Sequence, residues 1–405
     1  MHAEHFDIVI IGAGMAGASL AWQLTAAADA RAPAPRVLLL EREAQPGYHT
    51  TGRSAALFME SYGPPGIQAL TRASRAFYSD PPAGFAADAL VHPRGALFIA
   101  APGEEPELWA MQARLQAQGA QLERLDVAGA RAHVPLLRPE ACAAALYEAD
   151  VLDLDVHAIH QGFLRGFKAA GGVLRCEAQP LAAQRLTPGD GQPDAWALSL
   201  SVAGETRTVH TDVVVNAAGA WADELGQLLG AAPIGLVPKR RSAFTFEPPA
   251  GVNVSRWPML LDWREAFYVK PDAGLLLGSP ANADPMPPHD VQPEELDIAI
   301  GIDRIQQALD LTIRRPRATW AGLRCFVADG EPVIGWDDAG GPGCAGLFWL
   351  TAQGGYGIQS AAGASWLAAT LLRRAPLPAG LARCLAAQGV GPADFAPARL
   401  RASRG

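Results

Sequence analysis

A short apolar strand that runs straight into a glycine-rich turn is the feature that most limits how this chain can fold. Residues 6–11 (FDIVII) are a branched apolar run typical of a buried strand, and Gly12, Gly14 and Gly17 follow it as GxGxxG. Residues 16–28 are then rich in helix-forming types. This order predicts a strand, a tight turn and a helix that begins at the turn.

A second strand and a carboxylate complete the pattern. The prolines of segment 29–35 (DARAPAP) predict a loop, residues 36–40 (RVLLL) predict a second buried strand, and Glu41 ends that strand. In such units the glycines let the backbone approach a pyrophosphate, which sits on the helix N-terminus, while the carboxylate binds ribose hydroxyls. The sequence therefore predicts a dinucleotide site, with an ordinary surface role for Glu41 as the alternative.

Composition excludes several other classes of protein. A chain of 405 residues with 49% hydrophobic residues can bury a large core, so disorder is not its main state. The formal net charge of −8 argues against a nucleic-acid or anionic-membrane partner. No signal peptide or spanning helix is expected, because the N-terminus lacks a leader pattern and no long uninterrupted apolar window occurs. The cysteines form no CxxC pair, so we expect no metal site and a reducing compartment; they are Cys142, Cys176, Cys325, Cys344 and Cys384.

A second glycine-rich turn near the C-terminus bears on which dinucleotide is bound. Residues 352–359 (AQGGYGIQ) follow an apolar strand at 347–350 and are expected to open a helix that runs to about residue 372. FAD has two ends to be held, and two helix N-termini suit them; the second helix dipole suits negative charge on a reduced flavin ring. FAD is therefore favoured, while an NAD-dependent enzyme, which would be colourless, stays open.

Together these elements predict an α/β fold with a Rossmann-like FAD-binding domain and an inserted mixed β-sheet substrate domain. Prolines crowd segment 238–288, which indicates loops and strands, and residues 271–274 (PDAG) predict a hairpin turn. Further helices are predicted at 107–118, 156–170, 222–229 and 294–311, and further strands at 173–178, 195–202, 212–216, 242–246, 266–270 and 274–278. We expect the FAD-binding domain to comprise 1–90, 140–230 and 315–385, the substrate domain 91–139 and 231–314, and a peripheral tail to follow at 386–405.

Several longer segments resemble the flavin-dependent amine oxidoreductases of the D-amino-acid oxidase, glycine oxidase and sarcosine oxidase superfamily, and within it the bacterial D-arginine dehydrogenases. The resemblance spans nearly the whole chain, and two of its motifs together separate this family from other dinucleotide-binding proteins: FYVKPDAG (267–274) and WAGLR (320–324). The other matching segments are EREAQPGYHTTGRSAA (41–56), NAAGAW (216–221), PKRRSAF (238–244), GSPANADP (278–285), HDVQPEELDIA (289–299), TIRRP (312–316), FVADG (326–330) and AQGGYGIQ (352–359).

The resemblance implies a non-covalent FAD and a set of residues that hold it. Cys325 lies next to the presumed site, but we interpret it as a structural thiol rather than a covalent flavin link. The implied cofactor residues are Gly12, Gly14, Gly17, Glu41 and Arg42, the stretch His49, Thr50, Thr51, Gly52, Arg53, Ser54 and Ala55, and Gly219, Gly354, Tyr356 and Gly357.

The family also supplies candidates for gripping an α-amino acid. Its carboxylate needs a clamp, and the planar fork of an arginine meets a carboxylate with two hydrogen bonds. The resemblance gives this role to Arg324, with Tyr268 as a second donor, Arg241 as another substrate-side arginine, Tyr62 on a movable loop at 56–66, and the Gly355 carbonyl as acceptor for the amine. An internal ion pair of Arg324 and a core or rim role for the two tyrosines are the alternatives.

Two departures from the bacterial D-arginine dehydrogenases point to the substrate side chain. Ala96 stands where those enzymes have a glutamate that pairs with the guanidinium, and Leu57 stands where they have a histidine. A more apolar pocket is therefore expected, although Glu60 could replace the missing carboxylate. We expect oxidative deamination of D-amino acids to 2-oxo acids and ammonia through an imino acid, by hydride transfer from Cα to flavin N5, favouring neutral or hydrophobic substrates.

Three functional points stay open. The substrate could be a secondary amine such as sarcosine, proline or hydroxyproline, or the chain could be a flavin-binding electron-transfer subunit without turnover of its own. The resemblance favours a dehydrogenase that uses a quinone or another acceptor over an oxidase. It implies a cytoplasmic location, with the electron acceptor as a route to association with the inner membrane face.

Overall fold

The computed structural model describes residues 4–26, 34–186, 195–338 and 342–402. Residues 29–33 of the predicted 29–35 loop, and the last two residues of the predicted 16–28 helix, lie outside this description. The strands are β1 (Glu4–Ile11), β2 (Val37–Leu40), β3 (Leu57–Phe58), β4 (Val91–Pro93), β5 (Ala96–Ala100), β6 (Glu123–Leu125), β7 (Ala144–Glu148), β8 (Leu152–Leu154), β9 (Val173–Arg175), β10 (Ala178–Leu186), β11 (Ala195–Val202), β12 (Glu205–Asn216), β13 (Val237–Phe246), β14 (Met259–Asp262), β15 (Tyr268–Asp272), β16 (Leu275–Ser279), β17 (Asp284–Pro285), β18 (Ala318–Phe326), β19 (Val333–Trp336) and β20 (Leu347–Thr351). The helices are α1 (Met15–Thr25), α2 (Pro65–Ser79), α3 (Glu105–Ala117), α4 (Val127–His133), α5 (Val156–Ala169), α6 (Ala222–Leu228), α7 (Glu295–Ala308), α8 (Ala361–Leu372), α9 (Ala379–Ala387) and α10 (Ala398–Ala402).

The first sheet is built around parallel strands whose carboxyl ends meet at one edge. Its order is β10-β11-β12-β1-β2-β9, and β20 pairs with the end of β12 while β19 pairs with β20. In the register, Ile11 is aligned with both Leu40 and Asn216, and Asn216 with Trp349. The segments that follow β1, β2, β12 and β20 therefore lie side by side, which is where ligands bind in open α/β sheets.

Helices cover one face of this sheet with a continuous apolar core. Alternate sheet residues such as Ile10, Leu39 and Phe348 are fully buried against α1, α5 and α8. Trp22 of α1 contacts the rings of Phe77 and Phe163 at centroid distances of 5.3 and 5.6 Å, so aromatic packing joins α1, α2 and α5. This core fixes where α1 begins relative to the end of β1.

The second sheet is mixed, and it lies opposite the carboxyl edge of the first sheet. Its order is β17-β13-β16-β15-β14-β5-β7-β6, with β18 pairing with β13; β14 and β5 are parallel and the other pairs are antiparallel. The predicted turn at 271–274 is confirmed, because Ala273 and Gly274 have φ of 47° and 84° between β15 and β16. Positive φ at both central residues matches the twist that a two-residue hairpin needs.

The predicted fold class is confirmed, while several boundaries differ. The predicted domain boundaries stay a prediction, but β7 and β18, which they place with the FAD-binding part, pair within the second sheet. The helix predicted to open at Gly354 begins at Ala361, because residues 354–360 form an irregular turn first.

The interpretation of the C-terminal segment as a peripheral tail does not describe its packing. Within the predicted tail 386–405, Phe395 is fully buried beside Leu381 and Leu385 of α9 in the core beneath the first sheet, and Leu400 is also buried. Alanine-rich sequence around these residues hides their apolar spacing, which explains the miss. Within the described ranges, no helix is long and apolar enough to cross a lipid bilayer.

Candidate active site

A cavity of about 720 Å³ runs from the carboxyl edge of the first sheet to the face of the second sheet. Most residues of several segments from both sheets line it, and these segments are 11–16, 40–42, 47–63, 217–225, 322–325 and 350–359. Most of the residues predicted for cofactor and substrate therefore meet in one place, although they are spread over more than 300 positions of sequence. Of those predicted residues, Gly17, Gly52 and Ala96 do not line the cavity.

The glycine-rich turn has the shape that its sequence predicts. Gly12 has a φ of 107°, and a Cβ there would overlap the carbonyl of Ala217. A Cβ at Gly17 would overlap the carbonyl of Gly12, so Gly17 serves close packing of helix on strand rather than the cavity wall. Gly12 and Gly14 line the cavity at the start of α1. The backbone can thus approach a ligand that no larger residue would admit.

The peptide groups of this turn are held from two sides. The N–H of Ala13 donates to Oε2 of Glu41 at 3.2 Å, and its carbonyl accepts from Nε2 of His160 at 2.9 Å. A carbonyl can only accept, so Nε2 of His160 carries the proton. Burial lowers the pKa of His160, which keeps the ring neutral. We did not predict His160 from the sequence, because it lies in an ordinary helical pattern far from the turn.

Glu41 ends β2 facing the cavity, as predicted. Its two oxygens accept from the backbone N–H groups of Ala13 and of Glu43, the latter at 3.0 Å. Burial raises the pKa of Glu41. Each carboxylate oxygen can accept more than one hydrogen bond, so Glu41 keeps capacity for ribose hydroxyls.

An aromatic and charged cluster closes the end of the cavity beyond Glu41. The Arg42 guanidinium lies 4.2 Å from the centre of the Trp221 ring, and the His49 ring lies 4.7 Å from it. Arg42 and His49 both contact the carboxylate of Glu43, at 3.1 and 2.9 Å. Trp221 stands within the NAAGAW motif but was not predicted as a site residue, because only its glycine was singled out.

The predicted flavin-wrapping stretch is tied to the second sheet. Thr50 Oγ1 donates to the carbonyl of Leu323 at 2.8 Å, and the Trp320 indole donates to the carbonyl of Arg53 at 3.0 Å. Thr51 Oγ1 accepts from the N–H of Met15 at 3.0 Å. The stretch therefore bridges the glycine-rich turn and β18. Gly52 packs closely against the backbone just before this stretch and does not line the cavity. The residues of the stretch that line the cavity are His49, Thr50, Thr51, Arg53, Ser54 and Ala55, and Gly219 lines it from another segment.

Two arginines from neighbouring strands face the other end of the cavity. Arg241 of β13 is aligned with Gly322 of β18, and Arg324 lies two residues further along β18, so both point to one face of the sheet. Arg324 donates to the Tyr62 hydroxyl at 3.1 Å, and Arg241 donates to the carbonyl of Asn282 at 2.7 Å. Burial and the charge of Arg324 lower the pKa of Arg241.

Neither arginine forms an ion pair with a carboxylate within 4.0 Å in the described part of the chain. A direct ion pair of Arg324 with an internal acid is absent among these residues, but Glu265 interacts with Arg324 electrostatically through the bridging Tyr62 hydroxyl. Other partly buried arginines do pair, as Arg94 does with Asp153 at 2.5 Å. Buried cations are normally matched by anions. An anion that entered the cavity would therefore meet two guanidinium groups that have no directly bonded carboxylate among the described residues.

Tyrosines and one carboxylate complete this end. The Tyr62 hydroxyl donates to Oε2 of Glu265 at 3.2 Å, and its ring lies 4.8 Å from that of Tyr356. Burial raises the pKa of both tyrosines, so both stay protonated donors. Tyr268 also lines the cavity. Glu265 was missed, because a single carboxylate in a turn gives no signal in the sequence.

Apolar side chains form the wall around these polar groups. Leu57 lines the cavity as predicted. Ala96 is fully buried in β5, outside the lining, and is aligned with Glu148 of β7. Its small side chain therefore does not shape the wall directly. Six apolar lining residues belong to one cluster that also packs against Tyr62 and Tyr268, and these are Leu57, Met59, Phe98, Met111, Met259 and Leu261.

Comparison with known proteins identifies the family. Residues 7–371 match the family model described as DAO, FAD dependent oxidoreductase. The chain belongs to this family. A relative in Bos taurus, FAD-dependent oxidoreductase domain-containing protein 1, is 23% identical over 88% of this chain and 79% of its own length. The DAO fold is shared with glycine oxidase from Geobacillus kaustophilus, with a TM-score of 0.78 at 19% identity over 97% of this chain and 98% of that one. It is also shared with L-proline dehydrogenase from P. horikoshii, with a TM-score of 0.77 at 19% identity over 99% of both chains.

FAD is accordingly the cofactor of this DAO family member, as predicted, and the cavity fits it. Gly12 and Gly14 leave the backbone at the start of α1 without side chains, Glu41 retains acceptor capacity, and Trp221 lines the far end. These residues would hold the nucleotide part, and residues 49–55 and 353–357 would face the flavin part. The likeness to bacterial D-arginine dehydrogenases and the non-covalent attachment stay predictions.

Proposed function

We propose that this enzyme oxidises α-amino acids, favouring neutral or hydrophobic D-amino acids, to 2-oxo acids and ammonia through an imino acid. One observation carries the proposal: Arg241 and Arg324 face the cavity without a carboxylate partner among the described residues. An α-amino acid brings the missing anion. A guanidinium binds a carboxylate through two parallel hydrogen bonds, which also fixes its orientation.

The charges around the arginines favour a substrate whose amine is neutral. The two guanidinium groups and Glu265 sum to one positive charge, which a bound carboxylate cancels. An ammonium group would add a positive charge with no partner in a poorly hydrated site. The neutral amine is the form whose lone pair can assist loss of a hydride. The Gly355 carbonyl is the proposed acceptor that orients this amine.

The proposed reaction needs few chemical groups from the protein. When bound, FAD would supply the two-electron oxidation as the acceptor of the hydride from the substrate Cα. Loss of this hydride from the neutral amine leaves an iminium, and addition of water to its carbon would release the 2-oxo acid and ammonium, which is ammonia with the remaining proton. The residues of the chain hold the acid with Arg324, Arg241, Tyr268 and Tyr62, and exclude bulk water with the apolar wall. A quinone or another acceptor then reoxidises the enzyme in our proposal.

The apolar wall supports the preference for neutral side chains. Leu57, Met59 and Met259 lie near the clamp, and the described lining there contains one carboxylate, Glu265, which already accepts from Tyr62. Glu60, the suggested replacement acid, instead pairs with Arg75 and Arg72 and does not line the cavity. A cationic side chain would therefore find no free counter-charge, whereas burial of apolar side chains is favourable.

A secondary amine is the second candidate, because one of the structures with the same fold is named L-proline dehydrogenase. The same clamp would hold its carboxylate. The test is anaerobic mixing of the FAD-loaded enzyme with D-leucine, D-methionine, D-phenylalanine, D-arginine, sarcosine and proline, followed by admission of air. Bleaching of the yellow absorbance by the neutral D-amino acids supports the proposal. Bleaching by sarcosine or proline alone supports the second candidate, and no bleaching by any of them contradicts both.

A further inference from the structure

One buried hydrogen-bond donor in the cavity has no partner. Among the described residues, the side-chain nitrogen Nε2 of Gln353 is buried without a hydrogen bond, and it is the one such atom that belongs to a cavity-lining residue. Buried donors are almost always paired, since an unpaired one costs about as much as a lost hydrogen bond. An acceptor that binds in the cavity is the natural partner.

The turn that carries Gln353 holds its amide in place. The N–H of Gly354 donates to the carbonyl of Cys325 at 2.8 Å, and the N–H of Tyr356 donates to the carbonyl of Gln353 at 3.0 Å. A Cβ at Gly357 would lie 2.7 Å from Oε1 of Gln353, so the amide packs closely on that glycine. The turn thus fixes the backbone of Gln353, and the side-chain amide packs on the turn at Gly357.

The proposed substrate is the less suitable partner for this donor. In the proposed function its carboxylate is assigned to Arg324 and Arg241 and its amine to the carbonyl of Gly355, and a hydrocarbon side chain has no acceptor. The flavin ring, in contrast, carries carbonyl oxygens and ring nitrogens that accept hydrogen bonds. Gln353 stands next to the turn residues 354–357, which line the cavity and which we assign to the flavin part.

We infer that Gln353 donates a hydrogen bond from Nε2 to an acceptor atom of the flavin ring and thereby raises its reduction potential. Two-electron reduction increases the electron density on the ring acceptors, so a fixed donor stabilises the reduced form more than the oxidised form. This inference rests on the proposed function in one step, in which the substrate is set aside as the hydrogen-bond partner of Gln353.

The test is a dye-coupled reductive titration of the FAD-loaded enzyme without any amino acid, comparing the parent with Gln353→Met and Gln353→Glu. Loss of the donor should disfavour reduction about tenfold, which lowers the two-electron potential by about 30 mV. The glutamate variant keeps the shape but opposes negative charge, so its potential should fall further. Gln307→Met, an exposed position on α7, is the matched control and should leave the potential unchanged.

Two outcomes would overturn the inference. If both Gln353 variants retain FAD and their potentials equal that of the parent, while KM rises for a reducing amino acid, the amide serves the substrate instead. If neither the reduction potential nor KM changes, the amide of Gln353 contributes neither to flavin reduction nor to substrate binding. Because the titration needs no substrate, an enzyme that fails to react with D-amino acids would leave this test intact.

Discussion

The guanidinium of Arg324 packs directly against the backbone of Gly355, so closely that any side chain at position 355 would overlap it. Arg324 comes from β18 of the second sheet, whereas Gly355 follows β20 of the first sheet. Tyr62, from the segment between β3 and α2, donates to Glu265 and accepts from Arg324 on the cavity side. Three separate parts of the chain thus fix one cation where both sheets meet.

Removing the guanidinium of Arg324 should lower the activity of the enzyme, because the substrate would bind less tightly. We expect Arg324→Ala to raise KM strongly and to lower kcat/KM for D-leucine about a hundredfold, since loss of one charged partner costs about 3 kcal/mol. Steady-state kinetics with the FAD-loaded protein measure this. Arg317→Ala, which removes an exposed arginine paired with Glu247, should behave like the parent. Near-normal kinetics in Arg324→Ala would refute the clamp.

Substrate preference should follow the apolar wall. We expect kcat/KM for D-leucine, D-methionine and D-phenylalanine to exceed that for D-arginine, because Leu57 and Met59 line the cavity and Glu60 is paired elsewhere. Burying one such side chain stabilises the complex by about 2 kcal/mol. The comparison uses one enzyme preparation and one electron acceptor throughout. A large preference for D-arginine would show that a carboxylate reaches the side chain after all.

A buried acid beside the cavity should make stability depend on pH. Glu148 is 5% exposed and accepts from the Ser61 hydroxyl at 2.6 Å, and burial raises its pKa to about 7. Its folded-state pKa lies above the unfolded value, so its contribution is complete below the unfolded pKa near 4.5 and is lost as pH rises to about 7. The loss amounts to about 3 kcal/mol.

Glu148→Gln removes this titration while keeping the acceptor for Ser61. We expect the variant to gain free energy of unfolding relative to the parent at pH 8, and to gain little at pH 4.5, in urea denaturation of the FAD-loaded protein. The difference between the two proteins, rather than either curve alone, isolates Glu148 from other titrating groups. A difference that does not change with pH would contradict the assignment.

The cofactor should leave the protein on denaturation. Burial raises the pKa of the Cys325 thiol to about 12, so it is a poor nucleophile beside the cavity. Acid precipitation followed by centrifugation should therefore leave a yellow supernatant and a colourless pellet. Cys325→Ser, as a control, should bind FAD with the same spectrum. Yellow colour retained by the pellet would mean that a covalent bond forms.

The sequence predicts the residues at the nucleotide end of the site better than it predicts the residues that hold them in place. Strand, turn and carboxylate lie within one local pattern, and the steric demands at Gly12 and Gly17 leave few other interpretations. His160 acts on Ala13 from a distant helix, and only the tertiary fold brings the two together. Nothing in the spacing of helix α5 distinguishes His160 from a core residue.

The substrate end depended on resemblance, because no local rule places Arg241 and Arg324 together. The two arginines come close together because of the register of β13 against β18, and the hydrophobic pattern of the sequence alone does not fix this register. The Ala96 position was predicted as part of the pocket wall, yet its side chain is buried within the sheet. Of the two positions at which the sequence analysis noted a departure from the bacterial D-arginine dehydrogenases, Leu57 is the one that faces the cavity.

The central claim is that the substrate is placed for oxidation through its carboxylate, held by two arginines that have no carboxylate within 4.0 Å among the described residues. The most direct measurement compares the rates of anaerobic flavin bleaching by D-leucine and by D-leucinamide, which differ only at the acid. The account predicts that D-leucine bleaches the enzyme, whereas D-leucinamide does so at least a hundredfold more slowly at equal concentration. Equal rates for the two compounds would contradict it.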